Sequence, residues 1–542
     1  MALHRTRTID HIYGLDVAAF YDELFHYIQE IGAWPYFEAL DHGQREGSLY
    51  PFIQFVMVMM MRCVGGVQSM MAMHDVLLTD EALMAMVGFN AVQVRDGATA
   101  RGVSRRTTSV EVRGAFSFET VADNVVRIGV EKLAALFNGA IRCLAAQKVF
   151  AKKLDVVLDA TDDEATPTYT TDDGRPVPKV TREKRPEVRN NRHATRVAVT
   201  VWGWKVWLVW EPQSKIPLAM MIDGINVADN KHAYAVLEQA RQNVAGHAVI
   251  RSVALDRGFI DGKLLFAVDP RGAAVDRKAG TILYIPARSD MTITTDAREI
   301  ARRAAAEAAK GREIDGCVYR ERTREVSHSS GKKAWIEKRT TTVVGIRDLP
   351  CDWWGEEGCT SKANSKYFKS KLVNATVVLR WDGTEIEAGK EVVILTTDPS
   401  ADPFTAFDAY DDRSLIENTC NREAKEHWFL EHHPKRSEAG VRTQAYFVFV
   451  CMALVAAFRM YLEKSDEVER RGGETGITRY RRELERQNRG KVVVFIDDHF
   501  AIIWNYEFAI LLGAVVKDRA LMGESAETVL KKYGVGLAPD TS

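Results

Sequence analysis

The feature that most constrains the fold of this chain is a change of period near Lys152. Upstream, apolar residues recur every three or four positions through Leu15–Gly32, Leu49–Val64, Gln68–Leu78, Glu81–Val87 and Phe118–Leu144. That is the spacing of helices that bury one face. Thr79-Asp80-Glu81 reads as a helix start, with Thr or Asp able to cap the next turn. Downstream, Lys153–Asp159 (KLDVVLD) is a short β-branched run. Three apparent strands follow, Arg196–Trp202, Lys205–Trp210 and Ile216–Ile222, with turns at Gly203 and over 212–215. A helix at Tyr234–Asn243, a strand at Ala248–Leu255, a helix at Ile260–Val268 and a strand at Thr281–Ile285 complete the series. This order predicts an α/β fold: a mixed sheet with an antiparallel section, preceded by an α-helical N-terminal region.

With 542 residues and 46% hydrophobic content, the chain can build more than one core. Five regions are expected. Residues 1–147 are helical, and 148–287 hold the first part of the sheet. Residues 288–400 form a β-rich insertion, opening on a helix at Ala297–Lys310 and continuing as Gly316–Arg324, Ala334–Val344, Leu372–Leu379 and Glu391–Thr396. Residues 401–462 return to helix and complete the core. Residues 463–542 are an α-rich C-terminal tail with a charge-dense helix, Tyr480–Arg489, and a strand, Val492–Ile496. The stretch Ala160–Arg192, rich in Thr, Asp, Pro, Lys and Arg, reads as a surface excursion.

Net charge is -1, so any nucleic acid would have to be met by local rather than global positive charge. The seven cysteines contain no CxxC pair, which excludes a zinc ribbon and fits a reducing cytosol. The N-terminus lacks an apolar signal-peptide core. Two apolar runs, 50–61 and 445–458, are shorter than the roughly 18–20 residues of a membrane span and are expected to be buried helices. Gly-rich phosphate loops and Cys/His nucleophile motifs are not evident.

Two carboxylates stand where strands are expected to end, Asp159 after Val-Val-Leu and Asp256 after Val-Ala-Leu. Functional groups gather outside the carboxyl ends of strands in open α/β sheets. An aspartate after a strand is ordinarily a turn cap, but two on neighbouring strands would repel unless a divalent cation lay between them. A third acid lies in Tyr410-Asp-Asp-Arg413-Ser-Leu-Ile-Glu417. Helical spacing puts Tyr410, Arg413 and Glu417 on one face, with Leu415 and Ile416 turned toward the sheet.

The spacing Y-x-x-R-x-x-x-E, together with LDAT around Asp159 and ALDRGF around Asp256, resembles the bacterial insertion-sequence-four family of transposases. The resemblance covers roughly residues 150–460. It implies a DDE triad on an RNase H-like core interrupted before the glutamate helix, and Glu417 stands 161 positions after Asp256. It further implies that Asp159, Asp256 and Glu417 hold two Mg²⁺ ions, with Mn²⁺ able to substitute, and that the chain cuts and joins double-stranded DNA at transposon ends and target. Tyr410 and Arg413 would hold phosphates. A homodimer pairing two DNA ends, acting in the bacterial cytoplasm at the nucleoid, is expected on the same ground. The family pattern continues with a lysine seven residues after the glutamate. Here that position is Ala424, and Lys425 is one further. In an unbroken α-helix Lys425 would lie about 80° from Glu417 instead of about 20°.

Other residues read as follows. Lys179–Arg196 carries seven Lys/Arg against two Glu. Its Lys179, Arg182, Arg185, Arg189 and Arg192 could track a phosphate backbone, or simply solvate a loop. The resemblance also implies that Trp353 and Trp354, in an expected turn of the insertion, could stack on a flipped base. Trp202, Trp204, Trp207 and Trp210 suit sheet packing, and His427, His432 and His433 lack metal-ligand spacing. Two alternatives remain open at this stage: an RNase H-like nuclease that cleaves without joining, and a domesticated DNA-binding protein without catalysis.

Overall fold

The computed structural model describes residues 11–44, 50–89, 115–184, 197–262, 264–265, 280–330, 333–354, 368–398, 402–464, 477–496, 499–508 and 538–539. The chain divides into two compact units. One comprises 1–149, 166–177 and 424–542, and the other 150–165 and 178–423.

The first unit opens with a short strand, β1 (His11–Gly14), and the helix Leu15–Glu30. Further helices are Phe52–Val64, Phe118–Val125, Val130–Ala146 and Glu438–Lys464. The expected continuous helix over Phe118–Leu144 is thus two helices, parted at Gly129, which has extended backbone. The Asp80 cap is formed: its carboxylate accepts from the Leu83 amide at 2.9 Å. Phe20, Phe55, Met59, Leu136, Phe447 and Phe458 are fully buried together in this unit, each such side chain contributing roughly 1.5–3 kcal/mol. Glu438–Leu462 is long and apolar enough by composition to cross a membrane, but 72% of its apolar window is buried inside the protein, which fits a core helix. Arg62 is buried among these helices, and its two terminal nitrogens donate to Gln444 Oε1 (2.6 Å) and to the carbonyls of Gln68 and His432 (3.1 and 2.8 Å).

Among the described residues the second unit is one eleven-stranded sheet with helices against it. Its strands are β2 (Lys153–Ala165), β3 (Lys179–Lys184), β4 (Val197–Glu211), β5 (Ile216–Gly224), β6 (Val249–Leu255), β7 (Ile282–Pro286), β8 (Cys317–Ser330), β9 (Lys333–Trp354), β10 (Phe368–Trp381), β11 (Thr384–Glu385) and β12 (Val392–Thr396). Around the centre the order is β5, β4, β2, β6, β7. The first three pair antiparallel, and β2, β6 and β7 run parallel. This is the mixed arrangement, with an antiparallel section, that the sequence predicts. The strands of the 288–400 region are hydrogen-bonded to it, because β12 pairs with β7 and leads on to β10, β9 and β8.

Three local expectations need correction. First, β2 does not end at Asp159 but continues to Ala165, so the polar stretch from Ala160 begins as strand, and 179–184 is strand again. Second, Gly203 is not a turn: β4 runs unbroken through it. Its φ is +140°, and a Cβ there would stand 2.2 Å from the Asp163 carbonyl oxygen of β2. The glycine is needed for a close backbone approach, and only glycine tolerates that φ. Third, Trp353 and Trp354 lie in strand, at the end of β9, opposite Lys369 and Phe368 of β10. Trp204, Trp207 and Trp210 are buried in the sheet as expected.

The C-terminal part of the first unit adds β13 (Lys491–Ile496), β14 (His499–Trp504) and β15 (Ala538–Pro539). β13 pairs with β1, so the two ends of the chain share a four-stranded sheet. The helix Ile477–Asn488 packs on Leu15–Glu30.

Candidate active site

The site is built at the point where parallel pairing stops. The β2–β6 ladder runs to Leu158 opposite Leu255. The next residue on each strand is an aspartate: Asp159, still within β2, and Asp256, where β6 has ended in extended backbone before a 3-10 turn at Arg257–Phe259. Asp159 and Asp256 therefore stand at the same register on neighbouring strands. β2 can continue because its other edge is still paired with β4, where Asp159 faces Leu208.

The third acid comes from a helix that changes type. It begins at Pro403, capped by Asp402, runs as α-helix to Leu415, and becomes a π-helix over Ile416–Asn421 before a last α turn, Arg422–Glu426. In the π segment the Arg422 amide reaches back to the Glu417 carbonyl, five residues away. The expected packing of Leu415 and Ile416 as a pair does not hold. Ile416 is fully buried and Leu415 is 40% exposed.

Arg413 ties this helix to the strands. Its Nη1 lies 2.9 Å from Glu417 Oε1 and 3.9 Å from Asp256 Oδ1. Its guanidinium carbon is 5.7 Å from the centre of the Tyr410 ring, which meets Trp381 edge-on. Burial works against the Arg413 charge, but Asp256, Glu417 and Asp159 outweigh it and hold the group above the ordinary arginine value. Asp159 is buried, and burial pushes its carboxyl up to about 7. The Ala160 amide and Arg413 oppose that rise, while Glu417 and Asp256 add to it.

Sequence reading missed one residue at this site. Asn421 Nδ2 donates to Asp159 Oδ2 at 3.2 Å, and the Asn421 side chain is itself buried. No motif marks it. The sole trace in the sequence is the lysine standing eight residues after Glu417 instead of seven, since a π turn takes up one more residue than an α turn.

Not all candidate residues gather here. Lys179 is exposed on β3, and Arg182 of the same strand forms an ion pair with Asp162 of β2. Arg185, Arg189 and Arg192 lie outside the described residues. Lys425 pairs with Glu431 at 2.7 Å. His433 bonds the Tyr169 hydroxyl through Nδ1 at 2.9 Å, and the His432 carbonyl serves Arg62. Among the described residues no three His, Cys, Asp or Glu side chains are gathered closely enough to hold a metal ion as they stand. The chemistry of the donors does fit a hard divalent cation. Three carboxylates converge from two strands and a helix, two share a single guanidinium, and the third is a buried acid whose charge is disfavoured where it stands.

Comparison with known proteins bears on this geometry. Residues 151–454 match the family model described as the transposase DDE domain. No curated protein matches the chain. Among solved structures, one similar chain is the piggyBac transposase in a synaptic complex with hairpin DNA, at 12% identity and a TM-score of 0.36, covering 90% of this chain and 81% of that one. The matched residues span more than half of the sequence and include both strand aspartates and the glutamate helix, and the chain belongs to the DDE-domain transposase family.

Proposed function

We propose that this chain is a cut-and-paste DNA transposase of the insertion-sequence-four type, with Asp159, Asp256 and Glu417 as its catalytic carboxylates. It binds the ends of a mobile element, hydrolyses a strand at each, and joins the freed 3′-OH to target DNA. The observation that carries the reading is the convergence just described. Two aspartates leave neighbouring parallel strands at one register, and Arg413, one turn from Glu417, reaches both Glu417 and Asp256.

The three carboxylates would hold two Mg²⁺ ions, or Mn²⁺ in their place; such a pair activates a water or 3′-hydroxyl and stabilises the departing oxygen. Arg413 presents a planar fork suited to a phosphate, with Tyr410 beside it. Lys425, which pairs with Glu431 in the structure, would exchange that partner for a further phosphate. The residue taken up by the π turn offsets its extra step along the helix. Lys179 and Arg182, with Arg185, Arg189 and Arg192, would follow the DNA backbone, and Trp353 and Trp354 would stack on a base drawn out of the duplex. Residues 1–147 would bind transposon ends, and two copies would pair them in the bacterial cytoplasm.

The test is to incubate the full chain with Mg²⁺ and a linear duplex carrying the sequences that flank its gene, beside a plasmid target. Cleavage and covalent joining of the 3′-OH strand are expected. Cleavage without joining would reduce the protein to a nuclease, and no cleavage in either Mg²⁺ or Mn²⁺ would overturn the catalytic reading.

A further inference from the structure

We infer that Asn421, delivered by the π turn of the glutamate helix, is a positioning residue that fixes the Asp159 carboxylate for cation binding. The inference rests on the proposed role of Asp159 and goes beyond it. It names a side chain outside the Y-x-x-R-x-x-x-E spacing and gives the unusual helix a purpose.

Three observations meet at this side chain. Asn421 Nδ2 donates to Asp159 Oδ2, which fixes one oxygen of the carboxylate. The Asn421 amide oxygen, by contrast, is buried without a hydrogen-bond partner. Buried amides are normally satisfied at both ends, so an orphaned one is kept at a cost. Finally, Asn421 is the last residue of the π segment, an uncommon form that is frequent at functional sites.

The π turn explains how the side chain gets there. In an α-helix, residues four apart stand one above the other, so Asn421 would lie over Glu417, whose side chain is 54% exposed. Where the turn closes five residues apart, Asn421 stands instead over Ile416, which is fully buried. One helix can then serve two directions. Glu417 stays on the open side with Arg413, and Asn421 turns inward to Asp159. An unbroken α-helix would put both on the same side.

Residues that orient a metal ligand from behind typically matter about 10–100-fold in metal affinity or activity. The experiment is a Mn²⁺ titration of the full chain without DNA, followed by electron paramagnetic resonance, with the thermal unfolding midpoint measured in parallel. Asn421→Leu keeps the volume and removes the donor. It is expected to weaken Mn²⁺ binding by about 10–100-fold while the metal-free midpoint stays close to that of the parent. A purely structural role would move the midpoint and leave the affinity of the folded protein alone. Mn²⁺ affinity within about twofold of the parent overturns the inference, whatever the midpoint does. Should the leucine variant fail to fold, Asn421→Ser is read against the same limits. Asp159→Asn is titrated alongside. If it too binds Mn²⁺ as the parent does, the carboxylate reading itself falls. If Asp159 matters and Asn421 does not, only the present inference does.

Discussion

Two buried carboxylates in the same unit, Glu391 and Asp159, are treated in opposite ways. Glu391 directly precedes β12, with a side chain 3% exposed. Arg302 grips it with two hydrogen bonds (2.7 and 3.1 Å), Arg298 lies 3.6 Å away, and the Gly389 amide donates to it at 2.7 Å. Burial alone would raise its carboxyl, but Arg302 and the backbone amides more than offset that and hold it below the usual range. Asp159 has the Asn421 amide for a side-chain partner, and two other acids add to the rise that burial causes. Glu391 is neutralised in place and serves the fold. Asp159 has less positive charge around it than Glu391 has, with Arg413 set against Glu417 and Asp256, and that imbalance supports the proposed role in holding a cation.

The comparison can be broken at either carboxylate. The largest stability effect is expected from Glu391→Gln, which leaves two arginines facing a neutral group. The loss should be about 2–4 kcal/mol, read as a lower urea midpoint, and no change would mean that the cluster does not hold this part of the sheet. The next concerns Asp159→Asn, measured in chelator. An acid whose folded pKa is raised binds more protons folded than unfolded, so the parent should lose stability as pH rises from about 4 to about 7. The asparagine variant should lack that fall and be more stable above pH 7 by on the order of 1–3 kcal/mol. A variant less stable than the parent would show that the carboxylate is structural, like Glu391. The smallest effect is expected at Asp382, a half-buried carboxylate held between Arg324 and Arg339 and lowered to about 2, chiefly by the hydrogen bond from Arg324. Its contribution should be present above the ordinary carboxylate range and lost as pH falls through about 2. Asp382→Asn should shift the midpoint less than Glu391→Gln does, and roughly 1 M salt should erase the shift.

Much of the sheet could be read from periodicity, because the apolar runs leading to Asp159 and Asp256 are β-branched and short. The extension of β2 could not. Thr161, Asp162, Asp163 and Glu164 have the chemistry of a turn, and the residues that hold them in strand, Val206, Lys205, Trp204 and Gly203, lie some forty positions on. Cross-strand partners decide such segments more than local preference does. Gly203 misled for a related reason: its close approach to Asp163 exists only once the two strands are paired. At the site, Glu417 and Arg413 were legible because both lie within one helical turn. Asn421 was not, because its partner is 262 residues away and the π turn that aims it has no signature of its own beyond one displaced lysine.

The central claim is that Asp159, Asp256 and Glu417 act together on DNA. The most direct measurement is strand cleavage of an end-bearing duplex by Asp159→Asn, Asp256→Asn and Glu417→Gln, each beside a binding assay with the same duplex. Each variant should lose more than the roughly 10–100-fold that loss of an outer partner costs, and each should still bind the duplex as the parent does. Mg²⁺-dependent cleavage at the parent rate by any one of them would contradict the account and remove that residue from the site.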